Sequence, residues 1–159
     1  MDFASQLLQA LKREGIHTAI ETSGFFDYAH FKDKLLPWLD LIYYDIKLID
    51  DEASKQYCGQ SNQRILDNFC RLLTDAHIPI IPRIPLIPGI TTTEENLRGI
   101  AAFLDKHGVK SCALMPYNPL WSDKLRKLGL TPLYQHSGFM TPAEQAACAR
   151  HFTKPHSSS

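Results

Sequence analysis

Four segments, "HTAIETSGFF", "YYDIKLI", "IPRIPLIPG" and "MPYNP", carry in chain order Glu21, Thr22 and Ser23; Asp45 and Lys47; Arg83; and Tyr117 and Asn118. Two carboxylates and two cations suit a zwitterionic ligand. The carboxylates would hold its ammonium and Lys47 and Arg83 its carboxylate or hydroxyls, leaving Asn118 for a polar heterocycle. Glu21 and Asp45 could equally supply hard oxygens to a cation. Each residue also has a plainer role open to it. Glu21 to Ser23 could cap the next helix, Asp45 and Lys47 could pair structurally or face solvent, and Arg83 could be a buried salt-bridge partner. A shared site is favoured because the groups recur at the same end of successive strand patterns.

The elements that must position them alternate along the chain. Residues 3 to 14 put Phe3, Leu7, Leu8 and Leu11 on one helical face, which Gly15 closes. A strand "IHTAIET" follows, then a short helix from "DYAHFKDKLL" to the break at Pro37, then the apolar strand "LDLIYYDIKLI". Helical patterns "DEASKQYCG" and "SNQRILDNFCRLLTDA" lead to the strand "IPIIPRIPLIPG". Its prolines at 79, 82, 85 and 88 cannot donate to a ladder, so its pairing should be incomplete. The helix "TTTEENLRGIAAFLDKHG", the strand "VKSCALMPYNP" and a helix from "TPAEQAACARHF" complete one domain over residues 1–153, with a disordered tail at 154–159. One helix followed by four βα units implies a parallel α/β sheet, either an arc of a barrel or an open doubly wound sheet. Both architectures gather ligands at the carboxyl ends of their strands.

Seventeen basic and seventeen acidic residues balance, so no field gathers nucleic acid or an anionic membrane. Apolar runs are strand-sized and no signal-peptide profile opens the chain, so a cytoplasmic protein is expected. The cysteines at 58, 70, 112 and 148 match neither a zinc pattern nor a disulfide framework and read as independent reduced thiols. Seven histidines show no HxxH or HExxH pairing.

The runs "GIHTAIETSGF", "YYDIKLID", "RIPLIPGITTTEENL" and "MPYNPLWSDKLRKLG", in this order and spacing, are similar to the glycyl-radical-enzyme activating enzymes. These form the pyruvate formate-lyase activating enzyme family of radical S-adenosylmethionine proteins, and the resemblance covers about residues 1 to 130. It implies part of a (βα)6 barrel, truncated at its N-terminus, of a kind in which a 4Fe-4S cluster on a CxxxCxxC loop cleaves S-adenosylmethionine. The deoxyadenosyl radical so formed takes a hydrogen from a glycine of a partner glycyl radical enzyme, and electrons come from a donor such as flavodoxin or ferredoxin. By that resemblance Glu21, Thr22 and Ser23 fall where a monovalent cation and the methionyl end of the cofactor are held. Asp45 falls at the second carboxylate on the same cation, with the Tyr43 carbonyl beside it. Lys47 matches the lysine that meets the cofactor carboxylate, Arg83 the arginine of the fifth strand, and Asn118 a position near ribose and adenine.

The resemblance also has a gap. Neither a CxxxCxxC triplet nor a GGEP segment is present in these 159 residues, and the four separate cysteines do not replace a loop of gathered thiolates. The expectation is therefore a cofactor-binding portion with no catalytic residue or cluster ligand of its own, inactive alone. Its first strand, with Ile16, Ala19 and Ile20, should present an edge open to self-association. The loop "NPLWSDKLRKLGL" does not specify which glycyl radical enzyme is activated. Two other classes stay open on the residues alone: a partner-binding module without redox chemistry, and a (βα) lyase using Lys47 as a Schiff-base amine.

Overall fold

The computed structural model describes residues 2–131, 134 and 136–152; the tail expected at 154–159 lies outside them. Helix α1 (Asp2–Arg13) precedes strand β1 (Ala19–Thr22), helix α2 (Tyr28–Lys34), a 3-10 turn (Leu36–Trp38) and strand β2 (Leu41–Asp45). Helices α3 (Asp51–Cys58) and α4 (Gln63–Asp75), strand β3 (Ile80–Leu86), helix α5 (Glu94–Lys106), strand β4 (Ala113–Pro116) and helices α6 (Trp121–Lys127) and α7 (Pro142–Ala149) follow. The strands form one parallel sheet in the order β1-β2-β3-β4. A parallel α/β sheet laid out in sequence order is the arrangement that curls as a barrel arc rather than winding outward from a central strand.

Period-2 alternation divides the sheet into two faces. Ile42, Tyr44 and Ile46 from β2 and the residue after it join Ile84 and Leu86 from β3 in the core, packed with Phe31, Phe69, Leu72, Leu97 and Ile100 from α2, α4 and α5. On the other face Glu21, Tyr43, Asp45, Ile81 and Arg83 are exposed or half-buried, and none belongs to that core. Tyr44 shows how tightly the helix side is closed. Its ring is fully buried, its Oη donates to the Ile65 carbonyl at 2.6 Å, and burial holds the phenol well above its ordinary pKa.

Local chemistry sets the boundaries. Asp27 accepts from the His30 N–H at 2.9 Å and caps α2, so the alternative role of Glu21 to Ser23 as that cap is filled four residues later. Thr22 instead accepts from the Gly24 N–H at 3.0 Å, tightening the turn out of β1. Thr141 and Glu144 form the capping box of α7. The segment read as a loop at 118–130 contains α6; there Trp121 Nε1 donates to Tyr117 Oη at 2.8 Å, tying the helix to the end of β4. The proline-rich strand pairs on both sides, because proline keeps its carbonyl: Pro79 accepts from Ile42 at 3.1 Å and Arg83 from Ile46 at 2.9 Å.

Candidate functional site

Parallel register brings the charged residues together. Glu21 lies beside Tyr43, and Asp45 lies beside Arg83. Registered neighbours share a face, so the open side of the sheet carries two rows of polar groups near the carboxyl ends of β1, β2 and β3. The Arg83 guanidinium joins them. It donates from Nη1 and Nη2 to the two Glu21 oxygens at 2.7 and 2.9 Å, and from Nε and Nη2 to Asp45 Oδ1 at 3.0 and 2.9 Å. Its Cζ sits 5.4 Å from the Tyr43 ring centroid. The Glu21 hydrogen bonds raise the Arg83 pKa further above its ordinary range; burial opposes them, and the hydrogen bonds to Asp45 add to the rise.

Lys47 completes a neutral quartet, its Nζ 3.3 Å from Asp45 Oδ2. Exposure separates the members. The side chains of Arg83 and Asp45 are 14% and 19% exposed, that of Lys47 35%, and that of Glu21 65%. The Asp45–Arg83 pair is thus the structural centre, Glu21 is screened by water, and Lys47, with one long ionic contact, has its ammonium turned to the cavities around it. One cavity, about 320 Å³, is lined by Ser23, Asp45, Lys47, Ser54, Cys58 and Asn62 among others. A second, about 740 Å³, runs from Lys47 past Tyr57 and Met115 to Tyr117, Asn118 and Trp121.

The structure therefore gathers Glu21, Asp45, Lys47 and Arg83 and places Asn118 across a shared cavity from Lys47. Asn118 makes no contact with the quartet; its Oδ1 accepts from the Leu120 N–H at 2.9 Å. Thr22 stands apart, in register with core residue Tyr44 and one residue out of phase with Glu21. The salt-bridge role of Arg83 and its place at the rim are both present, since one guanidinium does both. Sequence reasoning missed Asn62 and Asn96, buried residues that hold the backbone beyond β2.

No family model matches the chain. It is 40% identical over 125 residues to the isethionate sulfite-lyase activating enzyme of Nitratidesulfovibrio vulgaris, covering 77% of this chain and 39% of that protein. It is 32% identical over 147 residues to the trans-4-hydroxy-L-proline dehydratase activating enzyme of Clostridioides difficile, covering 91% of this chain and 47% of that protein. A crystal structure of a domain of pyruvate-formate lyase-activating enzyme from Bacteroides vulgatus matches with a TM-score of 0.67 and 25% identity, over 94% of this chain and 83% of that one.

The chain belongs to the family of glycyl-radical-enzyme activating enzymes.

The chain spans under half the length of these two curated activating enzymes. Its described part can be tested against the two groups that the radical S-adenosylmethionine family uses. A cluster does not fit: Cys58 is exposed, Cys70 and Cys112 are half-buried, Cys148 is buried, and among the described residues no group of three or more His, Cys, Asp or Glu could hold a metal. Cys70 is engaged elsewhere, its Sγ 3.2 Å from His107 Nε2. The quartet carries both signs of charge beside a cavity lined by Tyr117, Trp121 and Asn118. No described helix is long and apolar enough to cross a membrane.

Proposed function

We propose that the chain is the S-adenosylmethionine-binding part of a cytoplasmic activating enzyme that installs a glycyl radical on a partner glycyl radical enzyme, with a donor such as flavodoxin or ferredoxin. The observation that carries this reading is the neutral quartet of Glu21, Asp45, Lys47 and Arg83 on the open face of the sheet. S-adenosylmethionine, when bound, supplies the deoxyadenosyl group that takes a hydrogen atom from the partner.

The residues of this chain bind and orient. Lys47 meets the ligand carboxylate by a charge-assisted hydrogen bond, and Asp45 holds that lysine in place. Glu21 and Asp45 serve the ammonium side, directly or through a monovalent cation, with the Tyr43 carbonyl beside them. Either role requires Arg83 to give up some of its present contacts. Thr22 and Ser23 shape the turn that borders the methionyl end, and Asn118 faces ribose or adenine across the larger cavity. None of them performs the chemistry. The Schiff-base alternative gains no support, because Lys47 is half-exposed and ion-paired rather than desolvated. Strand β1 lies at the edge of the sheet with Ile16 and Ala19 exposed, and we assign it as a surface for self-association.

Anaerobic reconstitution with iron and sulfide tests the reading of these 159 residues as a binding part. Iron content and deoxyadenosine release with reductant should both stay at background. A stoichiometric cluster with turnover would overturn it and would require the separate cysteines to converge.

A further inference from the structure

Strand β2 ends at Asp45, and Lys47 stands two residues beyond it. From Lys47 to Ile49 the backbone has left the ladder while the residues remain buried or half-buried. Polar backbone groups in that position need partners from elsewhere in the molecule.

Two asparagines, each only 5% exposed, provide them. Asn96, in the first turn of α5, donates from its amide to the Lys47 carbonyl at 3.0 Å and to the Thr91 carbonyl at 2.9 Å. Its Oδ1 accepts from the Ile49 N–H at 2.8 Å. Asn62, just before α4, donates to the Leu48 carbonyl at 3.0 Å and the Ile49 carbonyl at 2.8 Å. Asn62 is itself fixed, because Asp51 accepts from its backbone N–H at 3.0 Å. The side chain of Ile49 is seated against Gly99 of α5, where an added Cβ would lie 2.6 Å from Ile49 Cγ2. Only a planar amide carries both donors and an acceptor, so aspartate or leucine at these positions could not make the same set of bonds.

We propose that Asn96 and Asn62 are positioning residues for Lys47, fixing the backbone from which its ammonium reaches the rim and receives a ligand carboxylate. The last clause rests on the proposed S-adenosylmethionine reading; the positioning itself does not. A loose backbone at residues 47–49 would leave the lysine present but its charge spread over many directions, and the contact with a ligand would lose its preorganisation.

Reductive dimethylation with 13C-formaldehyde gives each lysine an NMR signal while keeping its charge, and loss of a peak in Lys47→Arg assigns Lys47. The wild-type Lys47 peak should stand apart from those of exposed lysines. Asn96→Ala and Asn62→Ala, each of which removes one amide without adding charge, should move it toward them. Thr18→Ala is the control: it removes buried hydrogen bonds to Trp38 and Asp40 at the opposite end of the sheet and should leave the Lys47 peak in place. In equilibrium dialysis, Asn96→Ala should weaken S-adenosylmethionine about threefold, with no further loss in the Lys47→Ala background. An unmoved Lys47 peak in these asparagine variants overturns the proposal whatever the ligand does. A moved peak in a chain that does not bind S-adenosylmethionine upholds the positioning and overturns the proposed function. A moved peak with unchanged affinity overturns the link between positioning and ligand.

Discussion

Gly24 closes the turn out of β1 at φ +79°, buried against the ring of Tyr44. A Cβ there would overlap Tyr44 Oη and Cζ and lie 2.8 Å from Cε1. Replacement by alanine therefore adds two costs. The left-handed backbone costs a non-glycine residue about 1 kcal/mol. Forcing a buried aromatic ring aside costs roughly 2–3 kcal/mol more, as overpacking and as loss of the Tyr44 hydrogen bond to Ile65. Gly59 isolates the first cost, since its φ is +73° and nothing lies within 4 Å of its missing Cβ. Urea unfolding should thus place Gly59→Ala about 1 kcal/mol below wild type and Gly24→Ala about 3–4 kcal/mol below it. With a slope near 1.5 kcal/mol per molar urea, the two variant midpoints should differ by roughly 1.3–2 M. Adding Tyr44→Leu to Gly24→Ala should recover part of the loss, although Tyr44→Leu alone destabilises. Equal midpoints for the two glycine variants would refute the close approach of Gly24 and Tyr44.

Arg83→Met should cost roughly 2 kcal/mol in the same assay by leaving Asp45 with only its 3.3 Å contact to Lys47, and Asp45→Asn added to it should restore much of that; wild-type stability in the single variant would contradict the pairing. Asp40, bonded by Lys12 and by the Thr18 N–H, has its carboxyl pulled from 3.8 down to about 2. A depressed folded-state pKa means stability present above the unfolded value and lost as pH falls from about 4 toward 2. Melting temperatures of Asp40→Asn should fall less steeply than wild type across that window, and parallel curves would count against the linkage. Burial, then the hydrogen bond to Asp75, pushes the Tyr28 phenol up from 10.0 to about 12. A raised folded-state pKa gives stability that is present below pH 10 and lost as pH rises through 12. Absorbance at 295 nm should show a tyrosine ionising near pH 12 that is missing in Tyr28→Phe, while the raised Tyr44 stays late in both.

The legible part of the structure came from periodicity. Alternating apolar and polar residues around Tyr43, Asp45 and Lys47 and around Ile81 and Arg83 put one charged row on one face, and the parallel register needed only βα alternation. The same period, applied residue by residue, separates Thr22 from Glu21, although the two are adjacent in the motif. Three features were hidden for different reasons. Asp27 caps α2 because the turn at Gly24 separates β1 from the helix, and Gly24 packs against Tyr44 of another strand, a contact the local sequence does not display. Helix α6 has only Trp121 and Leu125 as apolar residues, so its apolar stripe is too short to read. Asn62 and Asn96 look like ordinary helix-start residues, and their burial follows from a backbone 13 residues away for Asn62 and 49 away for Asn96.

If Lys47 and its quartet hold the charged end of S-adenosylmethionine, a ligand that lacks the carboxylate should lose that contact. Equilibrium dialysis would compare S-adenosylmethionine with its decarboxylated analogue on wild type and Lys47→Ala. Wild type should bind the intact ligand about fivefold more tightly than the analogue, the equivalent of about 1 kcal/mol for a half-exposed ion pair, and Lys47→Ala should erase the difference. Equal affinity of wild type for both ligands, or a preference that survives in Lys47→Ala, would contradict that contact.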